Sequence, residues 1–68
     1  MKKNSFEIII KKVSEIGKEI EINMISGLKI VSNIDRISFI DDETIEIFCD
    51  DGTKWVAIDK IESIYYLI

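Results

Sequence analysis

The apolar positions of the first third of the chain change from a helical to an alternating pattern. They recur at helical spacing over residues 5–16 and then alternate with polar residues over 19–24. Asn4 and Ser5 are favourable N-cap residues, and Gly17 is typical of the left-handed position that ends a helix. The pattern therefore predicts a helix over about residues 5–16, followed by a strand with one solvated face.

In the next apolar stretch, the apolar residues move from even-numbered to odd-numbered positions partway along. Ser26-Gly27 supplies a tight turn, and the apolar positions then fall on even numbers as far as Ile34 and on odd numbers from Ile37. A β-bulge near Asp35-Arg36 would produce this switch, because it bends one long strand so that the strand serves both sides of a small barrel. Whether Ile30 or Val31 faces the core stays open.

The clearest turn signal is Asp51-Gly52, which lies between two β-rich runs. If these two residues form the loop, Phe48 faces Trp55 on one side of the hairpin. Ile45 then pairs with Ile58 on the other side, which is apolar and forms a core face.

The end of the chain predicts one more strand. Residues 41–43 are acidic and indicate an exposed connection, and 59–62 indicate a single tight turn. The strand over 63–68 has almost no polar alternation, so both of its faces need cover, the second from the helix or from another copy of the chain. Tyr65 and Tyr66 point to opposite faces, one towards the core and the other towards an interface.

These elements predict a single domain over residues 1–68 that is mainly β. It has one N-terminal helix (about 5–16) and a five-stranded, strongly bent antiparallel small barrel (about 18–68). Domains of 68 residues bury only about 60% of their unfolded surface and are usually marginal alone. With one cysteine and no histidine, the chain has neither a disulfide nor a zinc site to stabilise it, which leaves self-association as the common remedy.

Composition and charge narrow the classes of function. The net charge of −4 disfavours general DNA or RNA binding, which needs a basic surface. A hydrophobic content of 47% without proline predicts a folded chain rather than a disordered one. No signal-type run and no apolar stretch near the length of a membrane span occurs, so we expect a cytoplasmic protein with no membrane partner.

Catalytic chemistry has little support in the sequence. Without histidine it would depend on carboxylates, Lys, Tyr, Ser or Cys49. The acidic groups at 41–43 and 50–51 fall in predicted loops and lack the spacing of a calcium loop. Cys49 is predicted on the apolar side of its strand, with no activating base. We therefore expect no enzyme activity, no cofactor and no metal.

The element order resembles the Sm-like branch of the SH3-like small barrels. The resemblance is carried by the helix before Gly17, the strand pair 19–22 and 28–30 around Ser26-Gly27, and the run 55–58 that leads through Ile61 to Ile64. It implies ring-like oligomers that pair their fourth and fifth strands, here 54–58 and 63–68, and RNA binding around the pore. The family's Asp and Asn after the second strand have only late counterparts in Asp41 and Thr44, and its basic signature before the last strand is absent.

Candidate binding residues follow from the predicted faces. A partly exposed Trp-Phe pair can stack a ring or a partner side chain, unless the helix covers it. Polar residues on the bent strand would supply hydrogen bonds, and the last two strands would supply the oligomer interface. The ligand-binding candidates are Phe48, Trp55, Asn33, Arg36 and Tyr66, and the interface candidates are Trp55, Ala57, Tyr65 and Leu67.

The leading hypothesis for function is a non-enzymatic homo-oligomeric binding module that holds a small nucleotide-type ligand or a protein partner. Such a chain would suit a regulator or inhibitor, for example a phage-encoded protein that sequesters a nucleotide signal or blocks a defence protein. One alternative is an Sm-like RNA-binding ring, which the acidic charge disfavours. Another is an accessory domain that docks on a larger host protein.

Overall fold

The computed structural model describes residues 1–67, and in this range the chain has one helix, six strands and two single 3₁₀ turns. In chain order these are α1 (Lys3–Ile16), β1 (Glu19–Met24), β2 (Lys29–Asn33), the first 3₁₀ turn (Ile34–Arg36), β3 (Ile37–Phe39), β4 (Thr44–Cys49), β5 (Gly52–Ala57), the second 3₁₀ turn (Ile58–Lys60) and β6 (Ile61–Tyr66).

The strands form two antiparallel three-stranded sheets, in the orders β2-β1-β6 and β3-β4-β5. The prediction of a mainly β chain with one N-terminal helix is confirmed. The five-stranded barrel over 18–68 is wrong, because residues 1–67 contain six strands, and these form two sheets that do not close into a barrel. Strands β5 and β6 are each the edge of a sheet, and they are not paired with each other.

The helix begins two residues earlier than predicted. Lys2 occupies the N-cap position without a side-chain cap, so the predicted caps Asn4 and Ser5 lie inside α1. The first turn is held by a tertiary contact instead, since the Lys3 ammonium lies 2.8 Å from a carboxylate oxygen of Asp42. The start of the helix is therefore tied to the loop before β4 by an ion pair, and the local capping that the sequence indicated is absent.

The helix ends at Gly17, as predicted, but not in the left-handed conformation. Gly17 is extended, with a φ of 176°, and a Cβ atom there would lie 2.5 Å from the Tyr66 hydroxyl oxygen. That hydroxyl donates a hydrogen bond of 2.9 Å to the carbonyl of Ile16. Glycine leaves room for the tyrosine ring, which joins the helix end to β6, whereas a Cβ atom would force that ring to shift.

The parity change after β2 is produced by the first 3₁₀ turn and not by a β-bulge. Asn33 precedes the turn, and its side-chain oxygen accepts a 2.9 Å hydrogen bond from the Asp35 amide. Ile34 is buried in the turn, and its own amide donates to the Lys18 carbonyl at 2.7 Å. The turn breaks the long strand into β2 and β3, and each part pairs in a different sheet.

The hairpin between β4 and β5 has a different register from the predicted one. Ile45 lies opposite Val56, Phe48 opposite Thr53, and the loop is formed by Asp50 and Asp51. A two-residue Asp-Gly loop would need a positive φ at its aspartate. Within residues 1–67 only glycines have a positive φ, and Gly52 takes it at 134° as the first residue of β5. The predicted pairs of Phe48 with Trp55 and of Ile45 with Ile58 are therefore wrong.

One hydrophobic core lies between the helix and the two sheets. Ile30 is buried and Val31 is exposed, which settles the face of β2. The Phe6 ring, fully buried, meets Phe39 edge to face with centroids 5.9 Å apart. The core residues are Phe6, Val13, Ile20, Ile22, Ile30, Ile34, Ile45, Ile47, Val56, Ile58 and Ile61.

The last strand starts earlier than predicted. The second 3₁₀ turn replaces the tight turn expected at 59–62, and β6 begins at Ile61. Tyr65 is exposed while Tyr66 packs against the core, so their opposite orientation is confirmed. The predicted end of this strand at residue 68 lies outside the described residues. In residues 1–67 no helix has the length and apolar character needed to cross a membrane.

Candidate binding surfaces

The first opening lies where the bent strand leaves one sheet and enters the other. We call it the strand-break cleft, and its volume is about 460 Å³. Its walls come from the start of β1, the end of β2, the first 3₁₀ turn and the end of β4. It is lined by Glu19, Val31, Ser32, Asn33, Asp35, Arg36, Phe48, Cys49 and Asp50.

Arg36 joins the two sides of this cleft. Its guanidinium Nη1 lies 2.8 Å from an Asp50 carboxylate oxygen and 3.4 Å from the Phe48 carbonyl oxygen. The hydrogen bond to Asp50, with the attraction of the two charges, raises the pKa of Arg36 above its ordinary value. Both side chains are largely exposed, so the pair orients the guanidinium more than it stabilises the fold.

The other charges of the cleft are carboxylates. Asp35 forms an ion pair of 3.0 Å with Lys18, which lies outside the cleft lining. The Glu19 carboxylate has no hydrogen bond or ion pair with any side chain in residues 1–67. Asp35 and Asp50 are therefore each paired with a cation, and within residues 1–67 Glu19 is the carboxylate of the lining that has no such pair.

Phe48 supplies the aromatic surface of the cleft. Its side chain is 51% exposed, on the face of β4 opposite the core residues Ile45 and Ile47. The helix does not cover it, because the buried helix residues Phe6 and Val13 pack in the core between the sheets. The alternative in which α1 shields the Trp-Phe pair is thus ruled out.

The second opening lies beside the edge strand β5. We call it the edge groove, and its volume is about 470 Å³. The turn between β1 and β2 forms one wall and β5 the other, and the Ile25 amide bonds to the Lys60 carbonyl at 2.9 Å across its end. It is lined by Met24, Ile25, Ser26, Leu28, Trp55, Val56, Ala57 and Lys60.

Large apolar side chains are exposed in the edge groove. Trp55 is 65% exposed, and Ile25 and Leu28 are also more than half exposed. The Trp55 indole nitrogen donates a 3.0 Å hydrogen bond to a Glu46 carboxylate oxygen on the neighbouring strand. This bond fixes the ring on the sheet surface, so its apolar face is held ready for contact.

The structure separates the predicted ligand-binding residues into three places. Asn33, Arg36 and Phe48 come together in the strand-break cleft. Trp55 lies in the edge groove instead, since the hairpin register places it opposite Glu46. Tyr66 lies in neither opening, because its ring packs against the core and its hydroxyl bonds to the helix end.

The predicted interface residues lie at or beside the two open sheet edges. Trp55 and the exposed Ala57 belong to β5, and the exposed Tyr65 belongs to β6. Leu67 follows β6 and is half-buried, and its amide bonds to the Glu19 carbonyl at 3.0 Å. These positions surround the gap between the sheets.

Sequence reasoning missed several lining residues. Ile25 and Leu28 flank the first turn, where their large apolar side chains depart from the polar composition usual for a turn. That departure is the signal that could have identified them. Glu19 and Asp50 had no comparable signal, because only the strand break and the hairpin register bring them to the cleft.

No set of three or more Asp, Glu or Cys side chains within residues 1–67 has the arrangement to hold a metal ion. Cys49 lines the cleft and is only partly buried, although it packs against the core as its predicted strand face required.

No protein-family model, curated protein or solved structure matches the chain.

Proposed function

We propose that the chain is a non-enzymatic, homo-oligomeric binding module in which the β5 edge and edge groove of one copy receive the β6 edge of the next. The observation that carries the proposal is the edge groove itself. Three large apolar side chains, Ile25, Leu28 and Trp55, are exposed beside a strand whose outer edge is unpaired. An apolar surface next to an open strand edge is the usual sign of a strand-pairing interface.

The second copy fits this surface for geometric reasons. Strands β5 and β6 have six residues each and are edge strands of different sheets. Their unpaired edges are therefore equal in length and could pair with each other between copies. The exposed Tyr65 of β6 would bring an aromatic ring beside the partner's apolar groove. Pairing these edges between copies would repeat around an axis, because each copy keeps one β5 edge and one β6 edge.

Stability gives a second reason for self-association. A 68-residue domain gains little from its core alone, and the single cysteine cannot form a disulfide within the chain. Burial of exposed apolar area at an interface contributes about 25 cal/mol per Å² before the costs of association. The strand-break cleft shares no lining residue with the edge groove, and it is where we place ligand binding.

The test compares two lysine substitutions at equally exposed positions. Leu28 in the edge groove and Ile40 in the loop before β4 are both 54% exposed, and Ile40 lines neither opening. We expect Leu28→Lys to reduce the native mass to that of one chain, while Ile40→Lys keeps the wild-type mass in sedimentation. Equal masses for both variants would contradict the proposed interface.

Material that co-purifies with the protein separates the remaining alternatives. RNA bound to a closed oligomer, released by salt, would favour an RNA-binding ring. A stable monomer with nothing bound would favour an accessory domain that docks on a larger protein. A closed oligomer that carries a small molecule or a protein segment would agree with the proposal.

A further inference from the structure

The strand-break cleft combines three features that select one kind of ligand. It has an unpaired strand edge, an unpaired carboxylate and an exposed aromatic ring. From this combination we infer that the cleft binds an extended, basic segment of a protein partner, with an arginine or lysine side chain placed between Glu19, Asp50 and Phe48. The inference rests on the proposed function in treating the chain as a binding module.

The backbone of β2 supplies the first feature. This strand pairs with β1 on one side only, because the first 3₁₀ turn ends its path before β4 can pair with it. Val31, Ser32 and Asn33 line the cleft at this free edge. An extended peptide can add to such an edge through main-chain hydrogen bonds, and its alternate side chains then point into the cleft.

The charge of the cleft supplies the second feature. Asp35 is paired with Lys18 and Asp50 with Arg36, whereas Glu19 has no partner side chain within residues 1–67. A cation beside Glu19 gains from this unpaired carboxylate, whereas a phosphate there would be repelled by it. Charge complementarity therefore favours a basic protein segment over a nucleotide.

The third feature is the ring of Phe48, which is half exposed at the mouth of the cleft. A guanidinium or ammonium group over an aromatic face gains from the ring's electrons. The methylene groups of the same side chain would lie along the exposed Val31. Arginine is the better match, because its planar group can stack on the ring while it donates to two carboxylates.

The experiment uses the full chain and short capped peptides that alternate threonine with arginine. In the control peptide each arginine is replaced by citrulline, which is nearly isosteric but neutral. We expect the arginine peptide to bind at least roughly fivefold more tightly, as measured by fluorescence anisotropy. This factor corresponds to the attraction between two unit charges in close contact in water. We also expect its NMR shift changes to fall on residues 31–33 and 48–50.

Two Glu→Gln variants, which change the net charge by the same amount, test whether the peptide binds in the cleft. Glu19→Gln removes a carboxylate from the cleft, while the control Glu15→Gln removes an exposed one from α1, outside both openings and both sheet edges. We expect weaker arginine-peptide binding, by roughly fivefold, only for Glu19→Gln. Equal binding of the two peptides, equal loss in the two variants, or Arg36-dependent binding of adenosine triphosphate in the cleft would each overturn the inference.

The same assay in the Leu28→Lys chain separates this inference from the proposed assembly. Leu28 does not line the cleft, so a variant that has lost self-association should still bind the arginine peptide. Binding in that variant supports the cleft inference whatever the native mass of the wild type. A wild-type oligomer that fails to bind the peptide overturns the inference and leaves the proposed assembly standing.

Discussion

The strand-break cleft and the edge groove have almost the same volume, about 460 and 470 Å³, but opposite chemistry. Three carboxylates and one guanidinium lie in the lining of the first, whereas the lining of the second is mainly aliphatic residues and Trp55, with Ser26 and Lys60 as its polar members. Both openings exist because the two sheets separate where a 3₁₀ turn interrupts the chain. The backbone thus creates two openings of similar volume. Their side chains differ, so the first is suited to binding a charged group and the second to binding an apolar strand.

The core supports both openings, so a core substitution should remove them together and have the largest effect. Ile47 is fully buried and lies between Ile37 and Lys54 in the sheet of β3, β4 and β5. We expect Ile47→Ala to lower the free energy of unfolding by about 2–5 kcal/mol, through lost apolar burial and the cavity it leaves. Urea unfolding at one fixed protein concentration measures this, since self-association adds to apparent stability.

Ile47→Val is the control for this substitution. It removes one methylene group, and the expected loss is about 0.5–1.5 kcal/mol. Wild-type stability in Ile47→Ala would show that the residue does not lie in a packed core.

The junction of the helix with β6 should respond next, without a change at either opening. In Gly17→Ala the new methyl group meets the Tyr66 ring, and such overpacking costs about 1–3 kcal/mol. Tyr66→Phe removes only the hydrogen bond to Ile16, with an expected loss of about 0.5–1.5 kcal/mol. Thermal or urea unfolding checks both values.

Peptide binding by Tyr66→Phe gives the sharper result at this junction. Tyr66 was a predicted ligand-binding residue, and the structure places it at the helix end. Unchanged peptide binding would agree with that structural role, and a large loss of binding would return Tyr66 to the ligand site.

Arg36 distinguishes the chemistry of the cleft from that of the groove. In Arg36→Gln the only cation of the cleft lining is removed, so the arginine peptide should bind more tightly, by roughly fivefold at low salt. Native mass should stay the same, because the edge groove does not contain Arg36. Weaker binding of the arginine peptide in this variant would contradict the electrostatic account of the cleft.

The smallest expected effect concerns an ion pair far from the cleft. The hydrogen bond and charge of Lys3 lower the pKa of the Asp42 carboxyl, and the same contact raises the pKa of Lys3. Its stabilising contribution is therefore present above the unfolded pKa of aspartate and is lost as the pH falls through the lower folded value. An NMR titration should show that Lys3→Met returns Asp42 to an ordinary aspartate pKa, and no change would contradict the contact.

The local sequence predicted the elements well where apolar periodicity was strong. The alternation of Ile20 and Ile22 and the helical spacing from Phe6 to Val13 both correspond to buried faces. The parity change between Ile34 and Ile37 correctly located the strand break. These features follow from side-chain direction alone, which sequence spacing records.

Features that depend on distant contacts were not predictable in the same way. The conformation of Gly17 is set by Tyr66, which is far along the chain. The hairpin register depends on which residue takes the positive φ, and a shift of the loop by one residue moved Trp55 away from Phe48. Trp55 therefore lies in the edge groove, whereas Phe48 lies in the strand-break cleft.

The most direct test of the central claim is the native mass of the purified full chain over a range of concentrations, by light scattering and native mass spectrometry. Association through the β5 and β6 edges predicts a defined multiple of the 7.9 kDa chain, which dissociates in Leu28→Lys. A single 7.9 kDa species at every concentration would contradict the claim that the open edges pair between copies.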